Sequence, residues 1–181
     1  GSLIDVVYCE KSIHVDACIS KVIMCSTESS IFGGKMMNFT LENMAEKHIA
    51  HIAELEVQCF SQPWSANALR EELNNESSHF LVAVSDNVLG YIGVQEICGE
   101  AYITNVAVFD EYRNCGIGRA LLKSACNGAK IRNCEFITLE VRESNIAAIA
   151  LYESEKFEKA GIRKNFYSDP TENGIIYTKY F

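Results

Sequence analysis

The chain has 181 residues, is 48% hydrophobic and carries a formal net charge of −8. Such a composition suits one domain with a sizeable core, contains no apolar run long enough to cross a bilayer, and argues against general nucleic-acid binding. The eight cysteines include no Cys-x-x-Cys pair and the four histidines complete no metal-ligand spacing, so no metal is expected.

In chain order, Gly1-Ser2 reads as a cleavage scar and residues 3–36 as an N-terminal addition, vector-derived or natural. That segment has short apolar runs at Leu3–Tyr8 and Ile19–Cys25 but not the continuous apolar core of a secretory signal. Met37 is the expected natural start, and residues 37–181 the expected single domain. Scattered thiols in a chain without such a signal suit a reducing cytoplasm.

Asn38–Glu42 reads as a short strand. Glu46–Phe60 has helical spacing, with Ile49, Ile52, Ala53, Leu55, Val57 and Phe60 as its apolar positions. His48 and His51 on this helix are expected at the surface. Pro63 blocks continuation, and Ser65 suits the N-cap of a second helix to about Leu73. Phe80–Val84 and Leu89–Ile97 read as strands joined at Asp86-Asn87. Ala101–Phe109 is another strand, Ile117–Ile131 a helix and Phe136–Val141 a strand. Asn145 caps a helix to about Glu155. Phe157–Tyr167 and Ile175–Phe181 form a terminal hairpin around an Asp169–Gly174 loop. The helix between strands 101–109 and 136–141 implies a parallel, right-handed crossover.

The most informative stretch is Arg113-Asn114-Cys115-Gly116-Ile117-Gly118-Arg119, between a strand and a helix. The first N–H groups of a helix lack internal partners and carry partial positive charge, and glycine lets backbone approach an anion closely. A pyrophosphate site is therefore expected. Gly118 is followed by Arg119 and Ala120, so the P-loop pattern fails, and two glycines do not make a dinucleotide fingerprint.

The stretch does match Arg/Gln-x-x-Gly-x-Gly/Ala at Arg113, Gly116 and Gly118, and so resembles the acetyl-CoA loop of the GNAT N-acetyltransferases. Downstream, Leu139-Glu140-Val141-Arg142, then Asn145-Ile146-Ala147-Ala148-Ile149-Ala150-Leu151-Tyr152 and Phe157, resemble the RimI branch of that family. So do Pro63-Trp64-Ser65 and Asn105-Val106-Ala107-Val108. The resemblance covers about residues 38–181. It implies an α/β (α+β) GNAT fold: a mixed central sheet of six to seven strands, helices on both faces, and splayed parallel strands holding acetyl-CoA.

The resemblance also implies roles. Val106, Ala107 and Val108 would lie along the pantetheine arm, and the backbone of Asn114, Cys115, Gly116, Ile117, Gly118 and Arg119 would wrap the pyrophosphate. Asn145 would touch the cofactor as well as cap its helix. Whether the Arg119 side chain adds charge there or is solvated stays open. Acetyl transfer to an amine needs proton removal, carbonyl polarisation and protonation of the departing thiolate. Glu140, a charge at the end of an apolar strand, would be the general base. Its ordinary pKa of ~4.3 calls for an environment that raises it or for a water relay. Tyr152, on the Asn145 face of its helix, would be the general acid.

From Met37 to Tyr112 there are 2 basic and 12 acidic residues, and from Arg113 to Phe181 there are 11 basic and 8 acidic. An acidic half suits a cationic substrate and a basic half a polyphosphate. An acidic surface is expected around Glu42, Glu46, Glu54, Glu56, Glu71 and Glu72. The RimI resemblance implies a protein N-terminus as acceptor, notably the N-terminal alanine of the small-subunit ribosomal protein numbered eighteen. The alternatives are a broader Nα-, lysine- or small-amine acetyltransferase, and a non-catalytic acetyl-CoA-binding regulatory subunit.

Overall fold

The computed structural model describes the backbone of residues 26–32 and 35–37, and residues 38–181 in full. Its eight strands are β1 (Ser26–Phe32), β2 (Lys35–Asn43), β3 (Ser78–Val84), β4 (Val88–Ile97), β5 (Glu100–Val108), β6 (Phe136–Arg142), β7 (Glu158–Ser168) and β8 (Thr171–Tyr180). They form one sheet in the order β1-β2-β3-β4-β5-β6-β8-β7. Only β5 and β6 are parallel neighbours, joined by the expected long helix crossover. The helices are α1 (Glu46–Cys59), α2 (Ala66–Leu73), α3 (Ile117–Ile131) and α4 (Ile146–Ser154).

The expected strands are all present, and β1 adds an eighth at the edge. It comes from the segment set apart as 3–36, and β2 already begins at Lys35, so a boundary at residue 36 falls inside a strand. Residues 1–25 lie outside those described. The terminal hairpin is tighter than expected. Ser168 pairs with Thr171 across Asp169-Pro170, so residues 171–174 extend the ladder instead of looping out.

Two apolar layers sandwich the sheet. On one face Leu121, Leu122, Ala125 and Ala129 of α3 pack with Ile92, Val94, Ile103, Val106 and Leu139. On the other, Ile49, Ile52 and Leu55 of α1 pack with Val82, Tyr91 and Ala107. Helices on both faces follow from the 3.6-residue stripes on α1 and α3.

Two helices start as their sequences predict. Ser65 Oγ accepts from the Ala68 N–H and Asn145 Oδ1 from the Ala148 N–H, each at 3.1 Å. For α1 the N-cap is Ala45, which has no side-chain acceptor, and His48 supplies one: its Nδ1 accepts from the Ala45 N–H at 3.1 Å. His48 is therefore buried, against the surface expectation, while His51 is exposed. Burial lowers the His48 pKa, which favours the neutral ring that this acceptor role needs. The apolar reading of α1 also misplaced one position. Val57 is 69% exposed and Glu56 is fully buried, because Ile49, Ile52, Glu56 and Cys59 recur at helical spacing on one face.

What positions the site is a gap. β5 and β6 pair only from Glu100–Tyr102 to Phe136–Thr138. Beyond that β5 stays with β4 as far as Val108, β6 stays with β8 as far as Arg142, and the two diverge. A bulge accompanies the divergence. Gly93 pairs with Asn105 and Val94 with Ile103, leaving Thr104 without an opposite residue. Such an insertion bends and twists the strand. Gly93 is required there: a Cβ would lie 2.7 Å from Thr104 Oγ1 and from the Phe80 ring.

Candidate active site

From Ile103 to Val108 the outer edge of β5 has lost its β6 partner, so its peptide groups face the gap. Val106 packs into the α3 layer and Ala107 into the α1 layer, which leaves the backbone between them as the wall of the cleft. At the end of β5 the chain turns through Asp110–Tyr112 into the glycine loop. Asn114 (φ 59°) and Gly116 (φ 77°) are left-handed and bracket Cys115. This alternation curls successive N–H groups toward one side, a shape that cradles anions.

The first intrahelical bond of α3 runs from the Ala120 N–H to the Gly116 carbonyl at 3.0 Å, so the N–H groups of Ile117, Gly118 and Arg119 precede the helix ladder. A Cβ at Gly118 would meet nothing nearer than Leu151 Cδ2 at 3.7 Å. A Cβ there would be in ordinary van der Waals contact with Leu151 and Val108, and its absence leaves the Gly118 backbone less covered. The loop fits the group expected there.

The side chains of this loop are engaged elsewhere. Arg113 donates from Nε to the Val108 carbonyl at 3.2 Å, pairs with Asp110 at 2.6 Å and lies 3.8 Å from Cys59 Sγ. It braces the loop against β5 and α1. Cys115 is buried, its thiol 3.5 Å from the Arg113 carbonyl. Arg119 reaches α4, pairing with Glu155 and donating to Ser154 Oγ at 3.0 Å. What this segment offers an anion is its backbone.

Across the gap, Glu140 sits on β6 past the divergence, on the half-buried face with Phe136 and Thr138. Its neighbours Leu139 and Val141 point into the α3 layer, so the Glu140 carboxylate faces the α1 side. Arg163 of β7 donates to Glu140 Oε1 at 2.7 Å. Tyr152 lies on the opposite, α3 side of β6, 1% exposed and packed against Phe157 and Tyr177. Burial raises its phenol pKa above the ordinary value and keeps it protonated. Asn145, also buried, stands at the start of the same helix face.

One residue of this region escaped the sequence reading. Tyr167 on β7 has a buried hydroxyl with no hydrogen-bond partner, within electrostatic reach of both Glu140 and Tyr152. The Arg142 guanidinium lies 4.1 Å over its ring. A buried hydroxyl without a partner costs stability. Phe166-Tyr167 in an otherwise exposed strand was the available signal.

The acidic surface is smaller than expected. Glu56 is inside the protein, and Glu42 and Glu46 are paired with Lys47 and Arg70, both at 2.7 Å.

Comparison with known proteins agrees with this geometry. Residues 49–157 match the model of the acetyltransferase (GNAT) family. The chain belongs to the GNAT acetyltransferase family. A relative from Bacillus subtilis (strain 168) is 37% identical over 138 residues, which is 75% of this chain and 91% of its own. The Escherichia coli (strain K12) ribosomal protein bS18-alanine N-acetyltransferase is 32% identical over 139 residues, 76% of this chain and 94% of its own. A crystal structure of the ribosomal-protein-S18-alanine N-acetyltransferase from Escherichia coli superposes with a TM-score of 0.72 at 30% identity, over 78% of this chain and 93% of that one. Arabidopsis thaliana NAA60 in complex with acetyl-CoA shares the fold at 16% identity, with a TM-score of 0.73 over 79% of this chain and 98% of its own. In this GNAT enzyme, no group of three His, Cys, Asp or Glu side chains among the described residues could hold a metal, and no described helix is long and apolar enough to cross a membrane.

Proposed function

We propose that this protein transfers an acetyl group from acetyl-CoA to the N-terminal α-amine of a protein, and specifically to the N-terminal alanine of ribosomal protein bS18. The carrying observation is the β5–β6 gap, with an anion cradle at one end and Glu140 and Tyr152 on either side of its β6 wall. The substrate reading rests on the named relatives, which cover most of their own length in this chain.

In this reading the backbone of Val106, Ala107 and Val108 takes the pantetheine arm in place of the missing strand. The loop from Asn114 to Arg119 receives the pyrophosphate on its N–H groups, and Arg113 acts from behind by holding the loop to Val108. The amine enters on the α1 side, where Glu140 accepts its proton directly or through water. Arg163 must yield or share its contact for that to happen. On the α3 side the Tyr152 phenol, kept protonated by burial, hydrogen-bonds the departing sulfur and gives up its proton only in concert with C–S cleavage, to be reprotonated from solvent before the next turnover. The Tyr167 hydroxyl is available to orient the acceptor between them. The free thiols among the described residues, Cys59, Cys98, Cys115, Cys126 and Cys134, suit a reducing cytoplasm.

The test is mass spectrometry of N-terminal peptides incubated with the protein and acetyl-CoA. A peptide carrying the bS18 N-terminus should gain one acetyl group on its α-amine, and blocking that amine should abolish product. Acetylation confined to internal lysines would favour the broader acetyltransferase instead.

A further inference from the structure

The buried carboxylate of Glu56 is a polar group in the core that the proposed chemistry leaves without a task. It is fully buried on α1, and three neutral donors from three elements converge on it. Its Oε2 accepts from the Trp64 N–H at 2.8 Å, in the loop between α1 and α2. Its Oε1 accepts from the Tyr91 hydroxyl of β4, and from Asn105 Nδ2 of β5 at 3.2 Å. Burying a carboxylate with neutral partners is expensive, and an apolar side chain of similar size would fill the space at lower cost. What the carboxylate adds is direction, because three bonds fix three backbones at once.

Of those backbones β5 borders the gap, β4 is its neighbour in the sheet, and the α1–α2 loop packs over the same face. Asn105 adjoins Val106, in the part of β5 that has lost its β6 neighbour. The bulge brings Thr104 and Asn105 to the same face: Thr104 Oγ1 lies beside Phe80 of the α1 layer, and Asn105 reaches α1 itself. Thr104 Oγ1 and Asn105 Oδ1 are buried without hydrogen-bond partners. Glu140 faces this same α1 side from the opposite wall. The third backbone leads from Phe60, which packs against both apolar layers, to Trp64, which packs on Phe80.

We propose that Glu56 is a positioning residue for the acceptor: its carboxylate locks the Pro63–Trp64–Ser65 loop and the bulged Thr104–Asn105 segment in one frame and thereby sets where the incoming amine sits. The inference rests on the transferase reading for its substrate. The lock itself is a property of this chain alone.

The experiment compares wild type with Glu56→Gln and Tyr91→Phe in three readouts: peptide kinetics, acetyl-CoA affinity by calorimetry, and hydrogen exchange at the Trp64 amide. Glu56→Gln keeps shape and loses the charge that orders the three donors. It should raise the peptide KM about tenfold and leave acetyl-CoA affinity within about twofold, the pattern of lost substrate positioning. Trp64 amide exchange should quicken about tenfold as the loop loosens. Tyr91→Phe removes one donor, should move the same readouts less, and serves alone if Glu56→Gln does not fold. Peptide and acetyl-CoA constants worsening together would make Glu56 a mere strut and overturn the proposal, as would a Trp64 amide that exchanges at the wild-type rate. A wild-type protein that acetylates no peptide would remove the transferase reading instead, and the exchange measurement would still decide whether Glu56 holds the loop.

Discussion

The two walls of the cleft are built in opposite ways. The β5 wall and its anion cradle come from one continuous stretch, Val106 to Arg119, and present backbone, with side chains such as Arg113 and Arg119 turned to brace neighbouring elements. The proposed chemistry on the other wall draws on side chains from separate elements: Glu140 from β6, Tyr152 from α4 and Tyr167 from β7. A backbone site tolerates side-chain change but not the filling of its open space. A side-chain site is sensitive to the loss of single atoms.

The largest effect expected from this contrast is at Glu140. Glu140→Gln should lower kcat by roughly 10²–10⁴-fold, the range for losing general-base help, and the deficit should shrink at high pH, where more of the amine is already neutral. A pH series with one peptide measures both. Tyr152→Phe should come next, slowing transfer by about 10²-fold with acetyl-CoA affinity nearly intact. Since burial raises the Tyr152 pKa above an ordinary phenol value of ~10, the wild-type rate should show no alkaline fall from this group below about pH 10. A wild-type profile that turns down near pH 8 would assign the acid elsewhere.

On the backbone wall the sensitive position is Gly118. A Cβ there is tolerated by the fold, in ordinary contact with Leu151 at 3.7 Å, but the branches of a valine would crowd the backbone of the cradle. Gly118→Val should weaken acetyl-CoA binding about tenfold or more in calorimetry while the melting temperature barely moves. Unchanged affinity would take the pyrophosphate away from this loop. The smallest effect is expected for Arg119→Ala. Its half-exposed ion pair with Glu155 is worth at most about 1 kcal/mol, and acetyl-CoA affinity should stay within about twofold if the side chain serves α4. A tenfold loss would place that guanidinium at the cofactor.

The same contrast explains what could be read in the chain beforehand. The shape of the glycine loop was legible because it is local: a strand, a left-handed turn and a helix start are consecutive in sequence. The bounds of α3 and the caps Ser65 and Asn145 were legible for the same reason. Glu140 and Tyr152 came from family resemblance, since nothing local marks a strand glutamate or a helix tyrosine as facing a gap. Tyr167 and Glu56 were missed. Tyr167 gains its position only when β7 folds back along β8 beside β6. Glu56 was hidden by Val57, whose apolarity suggested a core position that the helical spacing gives to its neighbour. His48 was misjudged likewise, because α1 starts at an alanine and borrows its cap from one turn ahead. Edge strand β1 has a polar sequence, Ser26 to Ser30, with no alternation to mark it.

The short seam between β5 and β6 has a mechanical consequence. Three residue pairs, Glu100–Tyr102 with Phe136–Thr138, are the whole ladder joining a five-stranded half-sheet to a three-stranded one. A continuous sheet resists flexing across its strands at every rung, whereas this one has a single narrow weld with a wedge of open space above it. What joins the two halves beyond that weld is side-chain packing under α3, where Ile103 and Val106 of β5 share one core with Leu139 and Val141 of β6. The ladder ends at Tyr102 and Thr138, while Val108 and Arg142 lie at the far ends of their strands. The width of the wedge is therefore set by helix packing and not by a hydrogen-bonded ladder.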